Sequence, residues 1–280
     1  MQLSISYWSV KDGLANTRPI EEAIIEAKEA GFDGIELACG TEGALSIHTD
    51  QKTVESFRAL GEKHSIKLET MAAGLSWGCS PTDPNPEIRK RSIEIHTAAL
   101  QRAAWLGAKA MLMVPGAVKI PWDPHYGPVK YDQALEWAKQ AACRLRESAE
   151  RFNVDLCLEN VWNGLFYSPL EFASFLDDIG SPRVGAYLDV GNLLGYHQHP
   201  PHWIEILANR IKRVHLKDFK NSIGNITGFC DLLAGDVPWN ETMSALGSIG
   251  YNKTLVAEMM PPDPTLLKRT KQAMEKVIAM

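Results

Sequence analysis

Four residues in the second half of the chain are of types that hold a divalent cation, and each closes an apolar run: Glu159 in DLCLEN, Asp189 in AYLDVGN, His215 in RVHLKD and Glu258 in LVAEMM. No local spacing joins them, so a shared ion requires a fold that gathers the ends of separate strands. Three carboxylates and one imidazole form a hard oxygen and nitrogen set, which suits Mn2+, Mg2+ or Co2+ and tolerates Zn2+. One divalent metal ion is therefore expected, Mn2+ foremost. Such a site keeps coordination positions open, so two vicinal oxygens of a sugar could chelate and be polarised. Singly, each residue is as well explained as a helix cap, an ion-pair member or a rim histidine. The four together favour a metal, because charged side chains are seldom buried at such positions unless paired or coordinated.

The elements that must position these residues are short β-rich runs alternating with longer stretches of helical period. Eight strands are predicted: Leu3–Tyr7, Gly34–Leu37, Lys67–Met71, Ala110–Val114, Asp155–Glu159, Gly185–Leu188, Arg213–Leu216 and Thr254–Ala257. Helices are predicted between them, among them Ile20–Ala30, Thr53–His64 and Glu87–Leu106, the last opening after Pro86 and stopping at Gly107. The rhythm predicts an α/β chain forming a single (β/α)8 TIM barrel, one domain over residues 1–280, close to the usual barrel length of about 250. Proline and glycine cluster at Ser80–Pro86, Pro115–Pro128 and Pro261–Pro264, after strand ends, where barrels carry their active sites.

Composition narrows the function. The apolar fraction of 45 % and charged fraction of 22 % are those of a globular protein. A net charge of −5 and a pI near 5.9 give no attraction to a polyanion, so no nucleic-acid partner is expected. No run approaches the about 20 apolar residues of a membrane span, and the opening MQLSISY lacks the pattern of a secretory signal. The five cysteines form no C-x-x-C pair and read as buried thiols of a cytoplasmic protein.

The strings LENVWN, YLDVGNL, VHLKDFK and GYNKTLVAEM, with GFDGIEL at Gly31–Leu37, resemble the sugar phosphate isomerase/epimerase family, the xylose-isomerase-like barrels. Within it the likeness is to the ketose 3-epimerases, including the L-ribulose and L-xylulose 5-phosphate 3-epimerase group. The resemblance implies that Glu159, Asp189, His215 and Glu258 are the metal ligands and that Glu159 and Glu258 double as the acid/base pair. It implies proton transfer at the carbon beside the carbonyl of a ketose, ketose phosphate or keto-sugar through an enediolate, in a homodimer or homotetramer. Epimerisation beside a ketone needs a base on one face of the carbon and an acid on the other, with the metal stabilising the enediolate oxygens. Where the family's free-sugar epimerases carry a His three residues after the metal Asp and an Arg six after the metal His, this chain has Asn192 and Asn221.

Further rim residues are candidates for substrate contact. Glu36 could bond a substrate hydroxyl or a neighbouring strand, His48 follows in the next loop, and Trp77 beside Gly78 could face a sugar ring. Asn192 offers an amide to a substrate oxygen or caps the next turn. Alternation directs Lys217 the same way as His215, toward a substrate oxyanion or phosphate, and turns Asp218 toward the helices. His125, Tyr126, His197 and His199 could gate the pocket, and Gly235 with Asp236 lie where barrels often bind phosphate. The substrate is expected to be a small sugar or sugar phosphate. Three other classes fit in part: a lyase resembling inosose dehydratases, an abasic-site endonuclease, disfavoured by the acidic balance, and a non-catalytic sugar-binding barrel.

Overall fold

Eight short, mostly apolar runs pair in parallel and close on themselves in a computed structural model that describes residues 1–280. They are β1 (Gln2–Ser6), β2 (Gly34–Ala38), β3 (Thr70–Ala73), β4 (Ala110–Met113), β5 (Asp155–Glu159), β6 (Val184–Asp189), β7 (Ile211–Leu216) and β8 (Thr254–Ala257). Each strand pairs with the next, and β8 pairs with β1, Leu255 opposite Leu3, to shut the barrel. The intervening helices are α1 (Ile20–Glu29), α2 (Gln51–His64), α3 (Pro86–Leu106), α4 (Tyr131–Phe152), α5 (Pro169–Ile179), α6 (Val190–Leu194), α7 (Pro200–Leu207), α8 (Trp239–Ser248) and α9 (Leu266–Ile278). This is the (β/α)8 fold that the alternation predicts.

Local chemistry explains the boundaries. Helix α1 buries Ile20, Ala23, Ile24 and Ala27, the one-sided spacing of a 3.6-residue period. Helix α3 starts where Asn85 Oδ1 accepts the Glu87 N–H (3.0 Å) and Pro86 takes the first turn. It stops at Gly107, whose φ of 83° is left-handed and comfortable only for glycine. Helix α2 opens two residues before its predicted start because Asp50 caps it, accepting the Thr53 N–H at 3.1 Å. Strand β3 is displaced from the expected Lys67–Met71. Lys67 makes only an isolated bridge to Gly34, and the ladder to β4 begins at Thr70 opposite Ala110 and runs into Ala72 and Ala73, which carry no β-branched signal.

The main apolar cluster, 71 buried residues, joins the outward strand faces to the helices, whereas the barrel interior holds a cluster of six: Ala72, Ala110, Leu112, Cys157, Tyr187 and Val256. Burial in the outer layer, at about 25 cal/mol per Å², stabilises the fold and leaves the upper barrel interior to charged groups. All five cysteines are free; Cys39 and Cys157 are buried, but Cys79, Cys143 and Cys230 are only half-buried, which corrects the expectation of five buried thiols. No helix is long and apolar enough to cross a membrane.

One buried histidine braces the rim. His96 of α3 places Nδ1 2.7 Å from the Ser92 carbonyl and Nε2 3.1 Å from Ser76 Oγ, which itself donates to the Val114 carbonyl at 2.6 Å. This joins α3, the turn after β3 that carries Trp77, and the end of β4. Burial lowers the His96 pKa from 6.5 to about 4. The unfolded chain therefore takes up a proton that the folded ring refuses, and stability present above about pH 6.5 is lost as the pH falls toward 4. From about pH 7 to about pH 4.5 the loss through His96 should be on the order of 2 kcal/mol. Urea unfolding of the parent and a His96→Gln variant across this range should show their stability gap narrowing; a constant gap would refute the assignment.

Candidate metal and substrate site

Strand register brings the four candidate ligands together. Asp189 and His215 are partners across β6 and β7, His215 and Val256 across β7 and β8, and Glu159 lies opposite Tyr187, two residues before Asp189. Glu258 stands one residue past β8 and two past Val256. Because side chains alternate along a strand, all four point into the barrel. One ligand atom from each lies within 4.8 Å of the others.

The orientation of His215 is set from below. Its Nε2 is 2.9 Å from Glu36 Oε1, while the Tyr187 hydroxyl donates to Glu36 Oε2 at 2.6 Å and the Tyr187 and His215 rings lie 4.4 Å apart. An ionised Glu36 only accepts, so His215 carries its proton on Nε2 and turns the Nδ1 lone pair toward the cluster. That lone pair faces Glu258 Oε2 at 3.1 Å, Glu159 Oε1 at 3.5 Å and Asp189 Oδ2 at 3.8 Å. Glu159 Oε1, Asp189 Oδ2 and His215 Nδ1 are all buried without a hydrogen-bond partner. Electron pairs converging in this way repel unless a cation stands among them, so the residues fit a divalent ion. These four would hold it.

Lys217 supplies part of the compensation. Its Nζ lies 3.1 Å from Asp189 Oδ2 and 3.0 Å from Glu258 Oε1. Burial works against the Lys217 charge, but Asp189, Glu258 and Glu159 raise its pKa well above the ordinary value. Burial also pushes the Glu159 carboxyl up to about 6. Burial opposes ionisation of Glu258 too, yet the Lys217 ammonium beside it holds that carboxyl below its ordinary value. One ammonium against three carboxylates leaves buried negative charge that a second cation would balance.

The cluster forms the floor of a cavity of about 930 Å³ whose lining includes Glu159 and Glu258 but neither Asp189 nor His215. Asn192, Lys217 and Trp77 line it as well. Asn192 also donates its backbone N–H to Asp189 Oδ1 (2.9 Å) and its amide to the Asn160 carbonyl (3.0 Å), so it braces α6 against the site. Two residues expected at the substrate are elsewhere. Glu36 is fully buried beneath His215 with both oxygens occupied. His48 is exposed and off the cavity, because the Ser46–Thr49 turn, closed by Ser46 N–H to Thr49 Oγ1 at 2.9 Å, sends Ile47 inward and His48 outward.

The loop residues also differ from expectation. His125, Tyr126, His197 and His199 do not line the cavity; the Tyr126 hydroxyl instead ties Ser80 (2.9 Å) to the Ala117 carbonyl (3.2 Å). Asp218 turns, as alternation predicts, toward the helical layer, at the start of α8 and the loop before it. Its carboxylate accepts the backbone N–H groups of Phe219, Leu233 and Val237 and the Trp239 indole N–H, at 2.9 to 3.1 Å. Gly235 packs against this carboxylate, 2.3 Å from Oδ1 to where a Cβ would stand, so that loop encloses an anion of its own. Unforeseen wall residues are Trp8, Trp122, Trp162 and Phe229. Trp162 lies within LENVWN, but only its bond to the Asn192 carbonyl (2.8 Å) reveals its place. The antiparallel ribbon of Asp218–Phe219 with Phe229–Cys230, which positions Phe229, leaves no sequence signal.

With this fold and site, the chain belongs to the xylose isomerase-like TIM barrel family, whose pattern matches residues 24–278. Among known proteins it is 25 % identical to the D-psicose 3-epimerase of Ruminiclostridium cellulolyticum over 243 residues, 84 % of this chain and 76 % of that one. Its fold superposes on the crystal structure of D-psicose 3-epimerase from Clostridium cellulolyticum H10 with a TM-score of 0.81 at 18 % identity, covering 99 % and 98 % of the two chains. It superposes on the 3-keto-D-glucoside 4-epimerase of Escherichia coli with a TM-score of 0.76 at 14 % identity, covering 100 % of both.

The buried Glu36 contact makes a measurable demand on ion binding. Replacing Glu36 by Gln removes the charge that fixes the His215 tautomer, and Mn2+ affinity should fall by about 10- to 100-fold. Calorimetric titration of metal-free protein with Mn2+ reads this directly; unchanged affinity would mean that His215 takes its orientation from elsewhere.

Proposed function

We propose that this protein is a divalent-metal-dependent isomerase, an epimerase or isomerase of keto-sugars, which moves a proton at the carbon beside the carbonyl, with Glu159 and Glu258 as the acid/base pair. The observation that carries this reading is the division within the cluster. Asp189 and His215 lie under the cavity floor, whereas Glu159 and Glu258 reach its surface from β5 and from the end of β8. Two of the four can hold an ion only; two can also touch a substrate. The names of the relatives, a ketose 3-epimerase at 25 % identity among them, support the same class of chemistry.

When bound, a divalent ion, Mn2+ by the hardness of the donor set, supplies positive charge to the oxygens on which negative charge develops. The chain's own groups do the remainder. One glutamate takes the proton from carbon and the other returns one to the opposite face, which inverts that centre. Lys217 pairs with Glu258 Oε1 at 3.0 Å and fixes that carboxylate at the cavity floor, and either glutamate can take the first proton while the other delivers the second. Asn192 and Trp77 orient the sugar from the wall.

Solvent-deuterium incorporation tests this across a panel of keto-sugars with Mn2+ present. Label should enter at a single carbon with no loss of water from the product, which separates epimerisation from the dehydratase alternative. Glu159→Gln and Glu258→Gln should each slow exchange by about 10²- to 10⁴-fold. Retention of parental rates by both variants would defeat the assignment of the pair.

A further inference from the structure

The cavity is larger and more apolar than a single sugar ring requires. At about 930 Å³ it lies near the top of the range of about 300–1,000 Å³ that accommodates drug-sized ligands. Above the carboxylate floor its walls are aromatic: Trp77 and Trp122 meet edge to face with centroids 4.7 Å apart, and Trp162 lies 5.1 Å from Phe229. At the mouth, Trp122 is 54 % and Ile226 58 % exposed, apolar surface that a monosaccharide on the floor would leave in water.

Charge argues in the same direction. Lys217 is the only cationic side chain in the lining, and its amine is engaged by Asp189 and Glu258. The loop after β7, where a barrel would offer backbone N–H groups to a phosphate, spends those of Phe219, Leu233 and Val237 on Asp218. A phosphate dianion would therefore enter without a counter-charge, close to buried carboxylates. A second sugar ring is served little better. The Asn16 amide is committed to the Glu42 and Leu45 carbonyls, and the Thr227 hydroxyl to Asn225 Oδ1.

We propose that the substrate is an uncharged keto-glycoside with an aromatic or similarly apolar aglycone, its sugar ring on the carboxylate floor and its aglycone between Trp122 and Ile226. Forming a glycoside consumes an anomeric carbonyl, so the ketone beside the reacting carbon must stand elsewhere on the ring. This rests on the keto-sugar chemistry proposed above and adds the identity of the group that fills the outer cavity.

Calorimetric titration of the Mn2+-loaded protein with phenyl and methyl 3-keto-D-glucosides tests the inference. The phenyl compound should bind about tenfold or more tightly, since its ring leaves water on binding. Trp122→Ala and Ile226→Ser, both at exposed positions, should each bring the ratio toward one. Equal affinities, absent binding included, overturn the inference. So does a preference for a ketose phosphate over its free ketose. A Trp122→Ala variant that changes the oligomeric state while keeping the phenyl preference also overturns it and makes the rim an interface between copies. Deuterium entry into the same ligands, read in parallel, separates the two proposals. Exchange without phenyl preference sinks the aglycone and leaves the chemistry; phenyl preference without exchange does the reverse.

Discussion

Three carboxylates gathered within 4.8 Å of one imidazole nitrogen repel one another strongly in a medium of low polarity, and the upper barrel is arranged around that repulsion. Lys217 offsets part of it, and Glu36 fixes the imidazole so that its lone pair joins the carboxylate oxygens. The remaining imbalance is the driving force for binding a cation. An apolar layer beneath, built from Ala72, Ala110, Leu112, Cys157 and Val256, keeps water from relieving the repulsion from below.

The same register that concentrates charge also sorts its members. Asp189 and His215, paired across β6 and β7, sit where the strands still hold one another and have no exposed surface. Glu159 closes β5 and Glu258 follows β8, and both side chains reach the cavity. The cluster is thus divided between two groups sealed beneath the cavity floor and two carboxylates that reach it.

The cavity walls belong to a different layer. Asp218 satisfies three backbone N–H groups and an indole, and so gives the loop after β7 a closed shape around a carboxylate of its own. The antiparallel ribbon beside it presents Phe229 to Trp162, and the Pro115–Pro128 loop presents Trp122 to Trp77. The floor of the cavity is polar and its walls apolar.

The alternation of short apolar runs with helical stretches was enough to establish the barrel, because periods of two and 3.6 residues are written locally. The residues of the cluster were legible for the same reason: Glu159, Asp189, His215 and Glu258 each interrupt an apolar strand at its end, where an isolated charge is costly. Local pattern could not say what lies beneath or above that plane. Glu36 looks like any strand-end carboxylate until the closed barrel puts it 2.9 Å from a histidine 179 residues away. His48 looked equally able to face the site until a four-residue turn rotated it outward. Trp77 was legible as a wall residue, but the rest of the apolar wall stayed hidden because Trp8, Trp122, Trp162 and Phe229 come from separate segments with no shared period. The sequence by itself therefore determined the barrel and the chemical types at its rim, while the tertiary structure alone decided which of them line the cavity, because loop conformation and the closure of β8 onto β1 depend on contacts between residues far apart in the chain.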